Sequence, residues 1–420
     1  MKTRGLGGNS LLALAGDGAS KAGALLVVLL AARFLSVSEF ALLATGLAAA
    51  GVLTSLLDLG SGTLLARDGA RGRPERGALF RGLLRARVPL AVAVLLAAPL
   101  VGLLVEHPLA GVAVALLGVS GALALSVLAL YRSCQDLRPE AIQRLAAALL
   151  SVAAVVLLGL VLPRADALLG ALALVTIVTL VPLLRGAPRV ADLESSTGRA
   201  AALRLAAPIG LLALATVAYY RAGTLVLAVL ADAEETAMFS VAASIAFGLL
   251  MVPNAITTAL LPRLAAERSS EDRIACARRA LGWTVAVAIL VAAGAALVVP
   301  VALPVALGPE YRGAGAPFAL LCVGVPLIAV SGVVGTTLLG VGRLRPLAVQ
   351  VGLSLAVNLA ALALLVPLYG AVGAALATVA CELVGFVVLA SAARRSLPGL
   401  LVRRPSAIRA PARPSRAPAA

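Results

Sequence analysis

Histidine is almost absent from this sequence: His107 is the single one in 420 residues. Cysteine is scarce too, and Cys134, Cys276, Cys322 and Cys381 stand in no CxxC or Cys/His spacing. A zinc or iron–sulfur site needs several such ligands together, so no metal is expected and the thiols are read as reduced. GxSxG, HExxH and P-loop patterns are missing. With them go the nucleophile elbow, the zincin site and nucleotide-driven chemistry. The gaps expected outside are only a few residues long, too short for the polar catalytic loop of a membrane glycosyltransferase or ligase. No catalytic residue and no cofactor are expected. Charged residues make up 13% of the chain and aromatics 3%.

What fills the chain instead is apolar: 61% hydrophobic, with a mean hydropathy of +1.06. Crossing about 30 Å of hydrocarbon takes roughly 20 apolar residues. Twelve such runs are read, near 10–32, 38–66, 80–105, 108–131, 141–162, 165–185, 204–230, 237–262, 280–304, 314–340, 345–367 and 370–393. Barrel strands would alternate apolar and polar over about ten residues, and these runs do not. The expected fold is an all-α membrane protein of about twelve transmembrane helices.

The net charge of +16 would suit nucleic acid in a soluble protein. Here the arginines gather in every second gap, which is how cytoplasmic loops are marked. With the N-terminus inside, the inner segments hold 30 of the 35 basic residues, while the outer gaps hold Arg33, Arg164 and Arg312. Both termini are therefore expected in the cytoplasm of a bacterial cell, with the bundle in the inner membrane and no nucleic-acid partner. Lys2 and Arg4 precede an apolar stretch as in a signal peptide, but Asp17 and Lys21 interrupt it. An uncleaved first helix is expected.

The polar stretch from Arg185 to Arg204 is the longest inside the chain. It divides an N-lobe of helices 1–6 (1–190) from a C-lobe of helices 7–12 (204–396), with a cytoplasmic linker at 191–203. Six crossings return the chain to its starting side, so duplicated halves would form a parallel, pseudo-two-fold repeat. Glu39-Phe40-Ala41-Leu42 opens helix 2 and Glu235-Thr236-Ala237-Met238 opens helix 8, an echo 196 residues apart. Residues 397–420, rich in Pro, Arg and Ala, are expected to be a disordered cytoplasmic tail. Its arginines would either rest on anionic headgroups or only reinforce orientation.

Charges inside spans are costly and mark function or a paired partner. Asp17 and Lys21 lie i, i+4 on the first helix, as an internal ion pair or as cavity charges. Asp58 falls in helix 2, Arg221 in helix 7 after Tyr219 and Tyr220, and Glu382 in helix 12; Asn254 and Asn358 are polar residues in helices 8 and 11. The functional reading is a cavity walled by helices 1, 2, 7 and 8. Lys21 and Arg221 would bind phosphate there, since the arginine fork matches two oxygens. Asp17, Asp58 and Glu382 are candidates for coupling to Na⁺ or H⁺. Tyr219, Tyr220, Asn254 and Asn358 are cavity polar candidates; for Asn254 a helix–helix hydrogen bond is the commoner role of such a residue.

Four stretches carry a family resemblance. The first is Arg33 through Phe40, followed by Leu57-Asp58-Leu59-Gly60. The second is Glu235 through Phe239, with Pro253-Asn254-Ala255-Ile256 and Leu261-Pro262-Arg263-Leu264. The third is Leu307-Gly308-Pro309-Glu310-Tyr311-Arg312-Gly313-Ala314. The fourth is Leu339 through Arg343, Asn358, and Val366-Pro367-Leu368-Tyr369-Gly370 through Ala375. Their order resembles the polysaccharide flippases of the multidrug/oligosaccharidyl-lipid/polysaccharide exporter superfamily. The resemblance implies a two-lobe fold of the MATE type and alternating-access transport of a lipid-linked oligosaccharide or polysaccharide precursor. Its partners would be the lipid-linked sugar, membrane lipids and other polysaccharide-assembly proteins. Many relatives carry an aspartate close to the tyrosine where this chain has Arg221-Ala222-Gly223, and the lipid II flippase branch has fourteen helices rather than twelve. The alternatives are a cation-coupled multidrug antiporter of the same superfamily, a polysaccharide polymerase or ligase, and a scaffold for cytoplasmic enzymes.

Overall fold

The computed structural model describes residues 6–400, apart from 59, 69–72, 135, 193–198, 267–268 and 398. Residues 401–420 of the expected tail and 193–198 of the expected linker lie outside the described residues. Among those described, the chain is helical throughout, with no strand.

The first half holds α1 (Leu6–Phe34), α2 (Val37–Asp58), the short α3 (Ser61–Asp68), α4 (Arg73–Leu104), α5 (Pro108–Ser133), α6 (Arg138–Val161) and α7 (Ala165–Val190). The second half holds α8 (Arg199–Leu230), α9 (Ala233–Leu249), α10 (Met251–Ala266), α11 (Ser270–Ala306), a 3-10 turn (Pro309–Ala314), α12 (Gly315–Gly340) and α13 (Arg345–Ser396). Backbone polar groups cannot go unpaired in hydrocarbon, which is why uninterrupted apolar runs become helices. Their starts follow local chemistry. Proline opens α5, α6 and α13 in the first turn, where no N–H is missed. Asp232 caps α9 by accepting from the Glu235 N–H at 2.9 Å.

Among the described residues, ten helices are long and apolar enough to cross a membrane. One of them, α13, is 52 residues long, enough for two crossings, and breaks at Gly370 (φ 50°, ψ −128°). It folds back as a hairpin: Ser354 Oγ donates to the Cys381 carbonyl at 3.2 Å. With the 29-residue α1, twelve crossings result. The run expected as one helix at 38–66 is instead α2, a turn and α3. Gly60 adopts φ +73°, and a Cβ there would collide with the Gly210 backbone, so the chain must bend and only glycine fits. Span 8 is likewise two helices: α9 ends at Leu249 and α10 restarts just before Pro253.

The two halves repeat the same packing. In the first, α1 lies on α6, α2 and α4 on α5, and α5 on α7. In the second, α8 lies on the first arm of α13, α9 and α11 on α12, and α12 on α13. One pair of hydrogen bonds fixes the equivalence. Glu39, opening span 2, accepts from the Ala165 N–H at the start of span 6 at 2.6 Å. Glu235, opening span 8, accepts from the Ala371 N–H at the start of span 12. Each carboxylate satisfies a donor that the helix itself leaves unpaired, at its positive end.

The apolar core is shared at one end of the bundle and divided at the other. Val27, Phe40 and Leu168 of the first half and Phe239, Tyr311 and Phe318 of the second belong to one buried cluster. At the end holding the basic loops there are separate cores. One is built on Leu65, Leu83, Leu130 and Leu183, the other on Leu260, Val334, Leu338 and Leu389. The lobes therefore meet at the end of Phe40 and Tyr311, and toward the basic loops they part except along the start of α8, whose Ala206 joins the first of these cores.

Candidate substrate cleft and polar clusters

Helices α1 and α2 face α8 and α9 across the lobes. On α1, the Cα positions of Gly16 and Gly23 lie against Ala141 and Ala148 of α6. Leu25 instead reaches Gly248 of α9, in the opposite lobe. Lys21 is one turn nearer the basic end than Leu25, on the same stripe. Because the lobes part there, its side chain is 45% exposed. On α8, Tyr219 is buried toward α13. Arg221, two residues on, points about 200° away around the helix and is exposed. It approaches α2, where a Cβ on Gly51 would stand 3.4 Å from Arg221 Nε. Among the described residues no carboxylate pairs with Arg221. Thus one cation from each lobe faces the other lobe.

The remaining candidates fall into three separate clusters. Asp17 is bound by Lys21 and by Arg144 of α6, both at 2.8 Å. Arg144 also holds Glu140 at 3.0 Å, and Glu140 holds Arg132 of α5 through two hydrogen bonds. Five alternating charges thus stitch α1, α5 and α6 together at the basic end, leaving one net positive charge.

Asp58 is buried at the joint between α2 and α3. Its Oδ1 accepts from Ser61 Oγ at 2.6 Å and from the Gly62 N–H at 3.3 Å. Arg87 of α4, 5% exposed, approaches that oxygen at 3.9 Å and donates to the Asp58 and Ala122 carbonyls and to Ser61 and Ser126. Both oxygens of this carboxylate are occupied by cap and ion-pair contacts.

Glu382 lies 3% exposed in the second arm of α13. It accepts a hydrogen bond from the Tyr219 hydroxyl. Asn358 in the first arm donates to the Tyr219 carbonyl at 3.1 Å, and its own Oδ1 is buried without a partner. Tyr220 continues the cluster, packed edge-on to Phe247 with centroids 5.4 Å apart. Among the described residues no cation reaches Glu382. Asn254 lies apart, half-buried in the first turn of α10.

The sequence shows every member of the Glu382 cluster but only one end of the other two: it misses Arg144, Glu140 and Arg132 for Asp17, and Arg87 for Asp58. Arg87 did carry a signal, since it stands several residues inside the apolar run at 80–105 where orientation alone needs no charge.

The fold is that of solved transporters. The chain superposes on the lipid II flippase MurJ in an inward closed conformation, with a TM-score of 0.75, 11% identity and coverage of 91% of this chain and 87% of that one. A MATE transporter in complex with MaL6 gives 0.68, 13% identity and coverage of 93% and 95%. A MOP superfamily transporter from Pyrococcus furiosus gives 0.66, 14% identity and coverage of 94% and 95%. No curated protein matches the sequence. The family profile of polysaccharide biosynthesis proteins matches residues 6–268, which run from α1 through α10 and hold the Arg33–Phe40 and Glu235–Phe239 stretches. With well over half its length matched, this multi-pass membrane protein belongs to the polysaccharide biosynthesis protein family.

Proposed function

We propose that this protein is a flippase that carries a lipid-linked oligosaccharide or polysaccharide precursor across the bacterial cytoplasmic membrane by alternating access. Both termini would face the cytoplasm, where the basic loops lie, and the lobes would divide at the polar stretch 191–203. The observation that carries this reading is the unpaired, exposed Arg221 of one lobe, with Lys21 exposed on the other. A guanidinium with no internal partner in a membrane cleft is a strong acceptor of phosphate oxygens. The pyrophosphate would meet Arg221 and Lys21 while the lipid tail stays in the bilayer. The parting of the lobes at the basic end suits loading from the cytoplasm. Family membership and the name of the MurJ neighbour support the same cargo class.

Of the three acids considered for ion coupling, Glu382 is the one we favour. Asp17 and Asp58 are already held by arginines, whereas Glu382 has one hydroxyl and, nearby, the unpartnered Asn358 Oδ1. The coupling ion would be H⁺ or Na⁺. Other polysaccharide-assembly proteins are the expected partners on the cytoplasmic side.

A second reading draws on the Tyr219–Tyr220–Phe247 row beside Glu382, a surface that suits organic cations and a drug antiporter. One experiment separates the two. Thermal stabilisation of the purified protein by a polyprenyl-pyrophosphate sugar is compared with stabilisation by lipophilic cations, for wild type and Arg221→Ala. Stabilisation by the sugar lipid that is lost in Arg221→Ala supports the flippase. Stabilisation by the cations alone moves the protein to the antiporter branch.

A further inference from the structure

The outside of the N-lobe carries a groove that the transport reading does not use. It has a volume of about 370 Å³ and lies between the first turns of α5 and α7, at the end where the lobes meet. Its walls are Leu109, Val112, Leu116 and Leu162, all more than a third exposed. Its floor opens at Gly170, where an added Cβ would meet nothing within 4 Å. From Leu109 to Leu116 the wall runs about 10 Å along the helix axis. At the mouth stand Arg164 and Asp166. The guanidinium donates Nε and Nη2 to the two carboxylate oxygens at 3.2 and 2.8 Å, Nη1 has no partner among the described residues, and the Arg164 side chain is 59% exposed.

We propose that this groove is a binding site for a zwitterionic phospholipid of the phosphatidylethanolamine type. An acyl chain lies against Leu109, Val112 and Leu116 toward Gly170, and the phosphate meets the free edge of Arg164. The choice of a zwitterion rests on charge complementarity. An isolated arginine at a membrane surface would favour any anionic lipid. Here Asp166 cancels the net charge and leaves a dipole, which matches a headgroup of phosphate and ammonium rather than one of net negative charge. The site is oily at depth and polar at one rim, as expected at a lipid interface. It is separate from the cleft, so its fate does not depend on what the protein carries. With the basic loops in the cytoplasm, the leaflet is the outer one.

The test is lipid retention by the full-length protein, delipidated in detergent and titrated with phosphatidylethanolamine or phosphatidylglycerol of identical chains, read by native mass spectrometry. Wild type should hold the ethanolamine lipid about tenfold more tightly, the size of one charge-assisted hydrogen bond. Asp166→Asn, which leaves the Arg164 charge uncompensated, should abolish this preference while chains still bind. Gly170→Leu, which fills open space and should leave the melting temperature unchanged, should lose both lipids. Equal retention of the two lipids by wild type, unchanged retention in Gly170→Leu, or displacement by a polyprenyl phosphate would each overturn the proposal. The last would make the groove a rest for the cargo's tail.

Discussion

Phe40 and Tyr311 meet edge to face across the two lobes, with ring centroids 6.1 Å apart and planes at 80°. Tyr311 is fully buried and Phe40 is 1% exposed. Truncating a buried aromatic costs about 3–5 kcal/mol, and this contact exists only while the lobes are joined at that end. Phe40→Ala or Tyr311→Ala should therefore shift the protein toward opening there. The native Cys322, 4% exposed in the shared core, reports it. An impermeant maleimide applied from the side away from the basic loops should label Cys322 in either variant and not in wild type. Equal labelling would mean that the aromatic pair does not hold the closure.

The two glutamate caps should behave as equivalents. Hydrogen bonds to a charged group contribute about 1.5–3 kcal/mol, and Glu39→Ala and Glu235→Ala each remove one. Both should lower the melting temperature in detergent, with the glutamine variants intermediate. The caps lie in different lobes and share no partner, so the double variant should equal the sum of the singles. A marked departure from additivity would show that the lobes exchange strain through these ends.

Arg87 and Asp58 offer a test of structural against transport roles. Removing one partner of a buried pair leaves an uncompensated charge, at a cost of about 3–5 kcal/mol. Arg87→Leu should therefore cost more stability than Arg87→Leu combined with Asp58→Ala. Recovery in the double variant, seen as a higher melting temperature and better yield, identifies Asp58 as a joint between α2 and α3. If Asp58→Ala alone leaves stability intact but abolishes transport, a coupling role stands instead.

Glu382→Gln keeps the shape and the hydrogen bond from Tyr219 while removing the charge. The protein should fold at wild-type level. Substrate-induced stabilisation should lose its dependence on Na⁺ or pH, whichever wild type displays. A variant that retains the full ion dependence would send the search elsewhere, beginning with Asp17.

The membrane spans were legible because bilayer thickness imposes a length that the apolar runs obey, and because the basic loops mark alternate gaps. The duplication was legible in outline from Glu39 and Glu235. What those glutamates do was not, since their partners Ala165 and Ala371 lie 126 and 136 residues further on and are backbone groups with no signature. The break at Gly60 was hidden inside an apolar run, because its cause is the approach of Gly210 from another helix. Lys21 and Arg221 were legible as unusual cations but looked buried. Only the parting of the lobes makes them accessible. The arginine partners of Asp17 and Asp58 read in the sequence as orientation charges, because the positive-inside rule uses charge and ignores which way a side chain faces.

Helix α8 belongs to both lobes. Near its start, Ala206 and Gly210 press against the Gly60 turn of the N-lobe. Farther along, Tyr219 is bound to both arms of α13, and Phe239 of α9 packs on Gly223. Pro208 lies between Ala206 and Gly210, where a missing backbone hydrogen bond lets the helix flex. A rod anchored at two places acts as a lever. If the lobes rotate about their shared end, α8 must either bend at Pro208 or drag Tyr219 with it. Whatever occupies Glu382 would then be felt, through one helix, at the mouth of the cleft.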